Sequence, residues 1–135
     1  MDVRFTVYAK PEPQGSIRTF MVKGRPIATT DNKGLKSYRQ QVSIAAITAM
    51  NEQKGELILR KVPVRLFVSF FFGRPASKSK KALPVVKPDI DKLCRAVGDA
   101  LSGICYADDS QIVELWAQKN YEAPDRTIIE VSSLL

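Results

Sequence analysis

The chain has no histidine, only two cysteines among its 135 residues, and no long apolar run. Each absence removes a class of function. Without histidine there is no Ser-His or Cys-His nucleophile pair and no imidazole general base, so any catalysis must use carboxylates, lysine, tyrosine or a metal. Cys94 and Cys105 cannot complete a zinc set, which leaves Cys94 expected as a reduced core thiol. No stretch approaches the roughly 18 apolar residues of a membrane span, and MDVRFTVYAK alternates like a strand instead of showing a leader's apolar block. A cytoplasmic protein that avoids the membrane is expected, and one domain over residues 1–135.

Charge is plentiful and unevenly placed. Residues 1–87 hold 17 Lys and Arg against 5 Asp and Glu, whereas residues 88–135 hold 4 against 9, within a net charge of +7. The first part suits a polyanion and the second suits cations. Candidate phosphate contacts are Arg18, Lys23, Arg25, Arg74, Lys78, Lys80 and Lys81, and Phe20 is a candidate for stacking on bases. Taken singly, each is equally well read as a solvated surface charge.

Periodicity orders the elements. Val3, Phe5 and Val7 predict a first strand that ends at KPEPQG, and a short hairpin is expected around Lys23 and Gly24. Tyr38, Val42, Ala45, Ala46 and Ala49 predict a helix from Leu35 to about Gln53. VRLFVSFFF after Pro63 reads as a buried strand. Pro75 and Pro84 keep the basic segment that follows irregular. Ile90, Leu93, Cys94, Val97 and Leu101 place an amphipathic helix from Asp89 to about Leu101, stopped by Gly103. Two strands follow, near Ile112–Tyr121 and Thr127–Ser132, separated by EAPDR.

Five aspartates stand inside KPDIDKLCRAVGDALSGICYADDSQIVEL. Asp89 suits a helix N-cap and Asp91 the positive end of the helix dipole, so neither requires a function. Asp91, Arg95 and Asp99 form one polar stripe that an ion-paired surface would explain. Asp108 and Asp109 repel each other and serve no evident cap, so a compensating cation is expected. Hard divalent ions take such oxygen ligands, and Asp89, Asp91 and Asp109 could converge on one. An EF-hand loop is excluded, because Leu93 and Cys94 stand where it needs a ligand and glycine.

KPDIDKLCRAVGDALSG followed by ADDSQIVEL resembles the signature of the RusA-like Holliday junction resolvases, a P-D-x-D-N-L-x-K helix, a D-A-L-x-G end and a D-D-x-Q strand entry. The likeness is specific over about Lys87 to Lys119, and it extends loosely to AKPEPQGSIRTF and the Tyr38 helix. It implies an α/β fold, a small mixed sheet with two main helices packed on it, assembled as a homodimer. It also implies an endodeoxyribonuclease of phage or prophage type in a bacterial or phage-infected cell, cutting two opposed strands of a four-way DNA junction. The resemblance assigns metal-binding carboxylates to Asp89, Asp91 and Asp109, holding one or two Mg²⁺ ions with Mn²⁺ as the alternative. The family's catalytic lysine falls on Arg95, and Lys92 replaces its asparagine. Arginine keeps the charge but cannot give up a proton near neutral pH, so charge stabilisation survives and acid catalysis is put in doubt. Those departures motivate a second reading, a non-catalytic DNA-binding phage protein that keeps the fold; a third, a structure-selective nuclease acting on flaps or forks, differs only in substrate.

Overall fold

The computed structural model describes residues 2–15, 17–30 and 34–135, and for 17–20 and 27–30 the backbone alone. Its elements run β1 (Asp2–Val7), β2 (Ile17–Val22), β3 (Arg25–Thr30), α1 (Leu35–Glu52), β4 (Val64–Phe72), α2 (Ile90–Leu101), β5 (Ile112–Tyr121) and β6 (Arg126–Ser133), with one 3₁₀ turn at Asp109–Gln111. The fold is therefore α/β, two helices with a four-stranded mixed sheet, as the resemblance implied.

The sheet order is β1-β6-β4-β5, with β5 parallel to β4 and the other pairs antiparallel. A parallel neighbour cannot be reached by a tight turn, so the chain must cross over between β4 and β5, and α2 makes that crossing. This connection places the aspartates of α2 and those before β5 near one edge of the sheet. The hairpin expected at Lys23 and Gly24 is present as β2 and β3, both turn residues having positive φ (50° and 77°). Glycine adopts that left-handed conformation at little cost.

Alternation decides which sheet face is buried. Val64, Leu66, Val68 and Phe70 of β4 point into the core beside Ile129 and Val131 of β6 and Val7 of β1. Helix α1 covers them with Leu35, Tyr38, Val42 and Ala46, and α2 with Leu93, Cys94, Ala96, Val97 and Leu101. Each large side chain so buried contributes roughly 1.5–3 kcal/mol. Tyr38 carries its hydroxyl into this core, where it shares a 2.6 Å hydrogen bond with the Thr127 hydroxyl and satisfies both groups. The Ser43 hydroxyl donates to the Ala100 carbonyl at 2.9 Å and ties α1 to α2.

No helix among the described residues is long and apolar enough to cross a membrane.

Candidate active site

Helix α2 begins where Pro88 ends an irregular segment. Asp89 occupies the N-cap position with extended backbone, but its side chain caps no amide. It is turned instead toward the Lys92 ammonium at 3.8 Å. The capping role expected of Asp89 is thus not taken up. Asp91 lies in the first turn and Arg95 one turn later, and both face a cleft of about 330 Å³ that also receives Asp109. Leu66, Cys94, Ile112 and Leu115 supply its apolar lining, and the charged groups stand exposed around it. The structure therefore brings Asp91, Arg95 and Asp109 together. It places Asp89 in a neighbouring cleft of about 400 Å³ with Lys10, Lys87 and Lys92.

The adjacent pair Asp108 and Asp109 is divided between two tasks, contrary to the expectation that neither serves a cap. Asp108 caps the 3₁₀ turn: its carboxylate accepts the Ser110 amide at 3.1 Å and also the Ser110 hydroxyl. The Gln111 side chain completes a capping box by accepting the Asp108 amide at 2.9 Å. The other end of the same buried side chain donates to the Leu59 and Val62 carbonyls at 2.8 and 3.1 Å. Gln111 thereby ties the turn to the segment before β4, which fixes where Asp109 emerges. Local sequence rules missed this because the Leu59 and Val62 carbonyls are brought near only by the tertiary fold.

Electrostatics separates the two acids further. Hydrogen bonds from the Ser110 hydroxyl and amide hold the Asp108 carboxyl below its ordinary range. Asp109 is pushed up, first by burial, then by the charges of Asp99 and Asp108, and by a hydrogen bond shared with the Asp99 carboxyl. Two carboxyls this close favour retaining a proton or gaining a cation. Asp99 is thus a neighbour of the site that the sequence reading left on an ion-paired stripe. Among the described residues Arg95 forms no ion pair with Asp91 or Asp99. The stripe itself was the available signal, since it placed Asp99 in line with Asp91 and Arg95.

Buried groups around the cleft act as framework. The Tyr106 hydroxyl donates to the Gly98 carbonyl at 2.8 Å, and burial raises it far above the ordinary tyrosine range. The Cys94 thiol is pushed up to about 11 by burial, with the Asp91 charge adding to the effect. It stays protonated at neutral pH and is no nucleophile, in keeping with the core thiol expected from sequence. Lys119 on β5 donates to the Val86 and Pro88 carbonyls, both at 2.9 Å, and so anchors the segment that leads into Asp89 and Asp91.

The predicted phosphate contacts lie elsewhere. Lys23 and Arg25 are exposed at the β2–β3 turn, and Lys78, Lys80 and Lys81 are exposed in the loop after β4. Arg74 is also exposed, its guanidinium donating to the Lys78 carbonyl. The side chains of Arg18 and Phe20 lie outside the described residues. None of the six cations whose side chains are described lines the Asp91 cleft or the Asp89 cleft. Among the described residues, no three acidic or cysteine side chains converge closely enough to enclose an ion.

Comparison with known proteins places the chain in a family. The family model described as Endodeoxyribonuclease RusA matches residues 9–132. The chain is 32% identical over 144 residues to the uncharacterized protein YqaN of Bacillus subtilis (strain 168), covering 96% of this chain and 94% of that one. It is 32% identical over 114 residues to the crossover junction endodeoxyribonuclease rusA of Lactococcus phage r1t, covering 84% of this chain and 82% of that one.

Proposed function

The chain belongs to the RusA endodeoxyribonuclease family, and from that premise we propose that it resolves four-way DNA junctions by divalent-metal-dependent hydrolysis of phosphodiesters in two opposed strands. The observation that carries this reading is the single cleft shared by Asp91, Arg95 and Asp109, which come from α2 and from the turn before β5. Two hard oxygen donors beside a permanent cation suit a phosphodiester, which needs both charge neutralisation and an activated water.

The residues present fit Mg²⁺, with Mn²⁺ as the alternative. Such ions are commonly held by one or two carboxylates, with water and substrate phosphate completing the shell, so an enclosing cage is not required. The raised proton affinity of Asp109 reflects burial first and then repulsion from Asp99 and Asp108, and a bound cation would offset both. Asp91 and Asp109 would hold the ion, and Asp89 would join by turning from Lys92. When bound, the ion supplies a more acidic water and offsets charge on the reacting phosphate.

Arg95 faces the scissile phosphate in this scheme. Its guanidinium stays charged throughout, so it stabilises the transition state without moving a proton. Leu66, Ile112 and Leu115 supply the apolar part of the cleft, while Asp91, Arg95 and Asp109 stand exposed at its rim where a DNA strand can reach them. A two-fold dimer would present two clefts to a symmetric junction. The exposed cations Lys23, Arg25, Arg74, Lys78, Lys80 and Lys81, with Arg18, would bind the junction arms in the host cytoplasm.

The test is incubation with labelled four-way junction, flap and duplex, with and without Mg²⁺ or Mn²⁺. Paired nicks confined to the junction, abolished by Asp91→Asn or Asp109→Asn while binding persists, are expected. Binding without cleavage in either metal would refute the hydrolytic reading in favour of a non-catalytic junction binder, and cleavage of flaps or forks would change the substrate.

A further inference from the structure

Four lysines from three separate parts of the chain meet around the segment Lys87–Asp89. Lys10, Lys87 and Lys92 line the 400 Å³ cleft, and Lys10, Lys87 and Lys119 line an adjoining one of about 200 Å³. Pro88 is common to both clefts, so they lie side by side along the approach to α2. No residue of either lines the cleft of Asp91, Arg95 and Asp109.

The four ammonium groups are not equivalent. Lys119 is occupied by the Val86 and Pro88 carbonyls, and Lys92 by Asp89. Among the described residues, the side chains of Lys10 and Lys87 have neither an ion pair nor a hydrogen bond. Glu12 is the other acid in this wall, and its carboxylate rests against Gly34, where an added methyl would meet its oxygen at 2.8 Å. Two unpaired cations are thus held at one concave place by a scaffold that Lys119 braces. Their mutual repulsion is relieved when an anion lies between them.

We propose that these adjoining clefts are a seat for a DNA backbone phosphate, contacted by Lys10 and Lys87 and separate from the scissile position. The seat rests on the reading of the chain as a DNA nuclease, and it names where the strand beside the cut is held. Asp89 borders the seat and Asp91, two residues on along α2, borders the other cleft, so the phosphate held in the seat is one beside the scissile phosphate on the same strand. The seat and the metal site then fix strand direction together, since one contact alone leaves the backbone free to pivot.

Junction binding without divalent metal, measured over a salt series, tests this. Each phosphate contact contributes about 0.7–0.9 to the slope of log affinity against log salt. Lys10→Ala/Lys87→Ala should flatten the slope by about 0.7–0.9, one phosphate's worth, with thermal unfolding unchanged, and Lys10→Arg/Lys87→Arg should restore it. Among neutral methylphosphonates placed singly at the positions flanking the cut, one should weaken the parent and leave the double-alanine variant unaffected. An unchanged slope in the double-alanine variant overturns the seat alone. A parent that binds neither junction nor duplex overturns the nuclease reading and the seat with it.

Discussion

Replacing Gln111 by methionine should cost far more than a change at a polar residue next to a surface turn ordinarily does. The side chain is 8% exposed and makes three well-formed hydrogen bonds, to the Leu59 and Val62 carbonyls and from the Asp108 amide. Its contact with the Ile58 carbonyl, at 3.5 Å, is at the limit and adds little. Methionine nearly matches glutamine in volume, so the loss is of hydrogen bonds and not of packing. At about 1 kcal/mol each, three lost bonds destabilise the fold by about 3 kcal/mol. An unfolding entropy of about 2.1 cal/mol/K per residue makes that a fall in Tm of roughly 10 °C for a chain of 135 residues. Thermal unfolding followed by circular dichroism measures it. The freed turn should also displace Asp109, and a misplacement of about 1 Å costs on the order of 100-fold in rate. Junction cleavage well below the melting range should therefore fall by about that factor while Asp108→Asn loses less. A Tm within about 3 °C of the parent, or a stable variant that cleaves at the parental rate, would refute the assignment of Gln111 as the clamp on Asp109.

At Arg95, substitution by lysine should keep substantial cleavage and substitution by alanine should lose it with junction binding largely intact; single-turnover rates decide, and parental speed in Arg95→Ala would remove the residue from the site. A proton-donating role would instead make Arg95→Lys markedly faster than the parent. Because Asp109 has a raised folded-state pKa, its favourable contribution is present below the ordinary carboxylate value near pH 4 and lost as pH rises through the folded value. Asp109→Asn should therefore raise the metal-free Tm at neutral pH and not in acid, and Mn²⁺ or Mg²⁺ should raise the Tm of the parent alone, as differential scanning calorimetry would show. Tyr38→Phe should cost about 1–2 kcal/mol in urea unfolding, since it leaves the Thr127 hydroxyl buried without its 2.6 Å partner.

Much of the architecture could be read from local pattern. The alternation of Val64, Leu66, Val68 and Phe70 and the three- and four-residue spacing from Ile90 to Leu101 each depend on which side of one element faces the core, and that information is carried within a few residues. The helix bounds, β4, β5, β6 and the hairpin at Lys23 and Gly24 followed for the same reason. The aspartate motif, through its likeness to a known signature, carries the family within the sequence itself.

The tertiary structure decided how chemically identical side chains are used. Asp108 and Asp109 are adjacent, yet one is spent on Ser110 and the turn while the other faces the cleft, because the Leu59 and Val62 carbonyls arrive from another part of the chain to orient Gln111. Asp89 and Asp91 likewise line different clefts. The placement of β6 between β1 and β4, the nearness of Asp99 to Asp109, and the meeting of Lys10 with Lys87 belong to the same class. Periodicity can say which way a residue points from its own element, but what it meets there is set by chain crossings between distant segments.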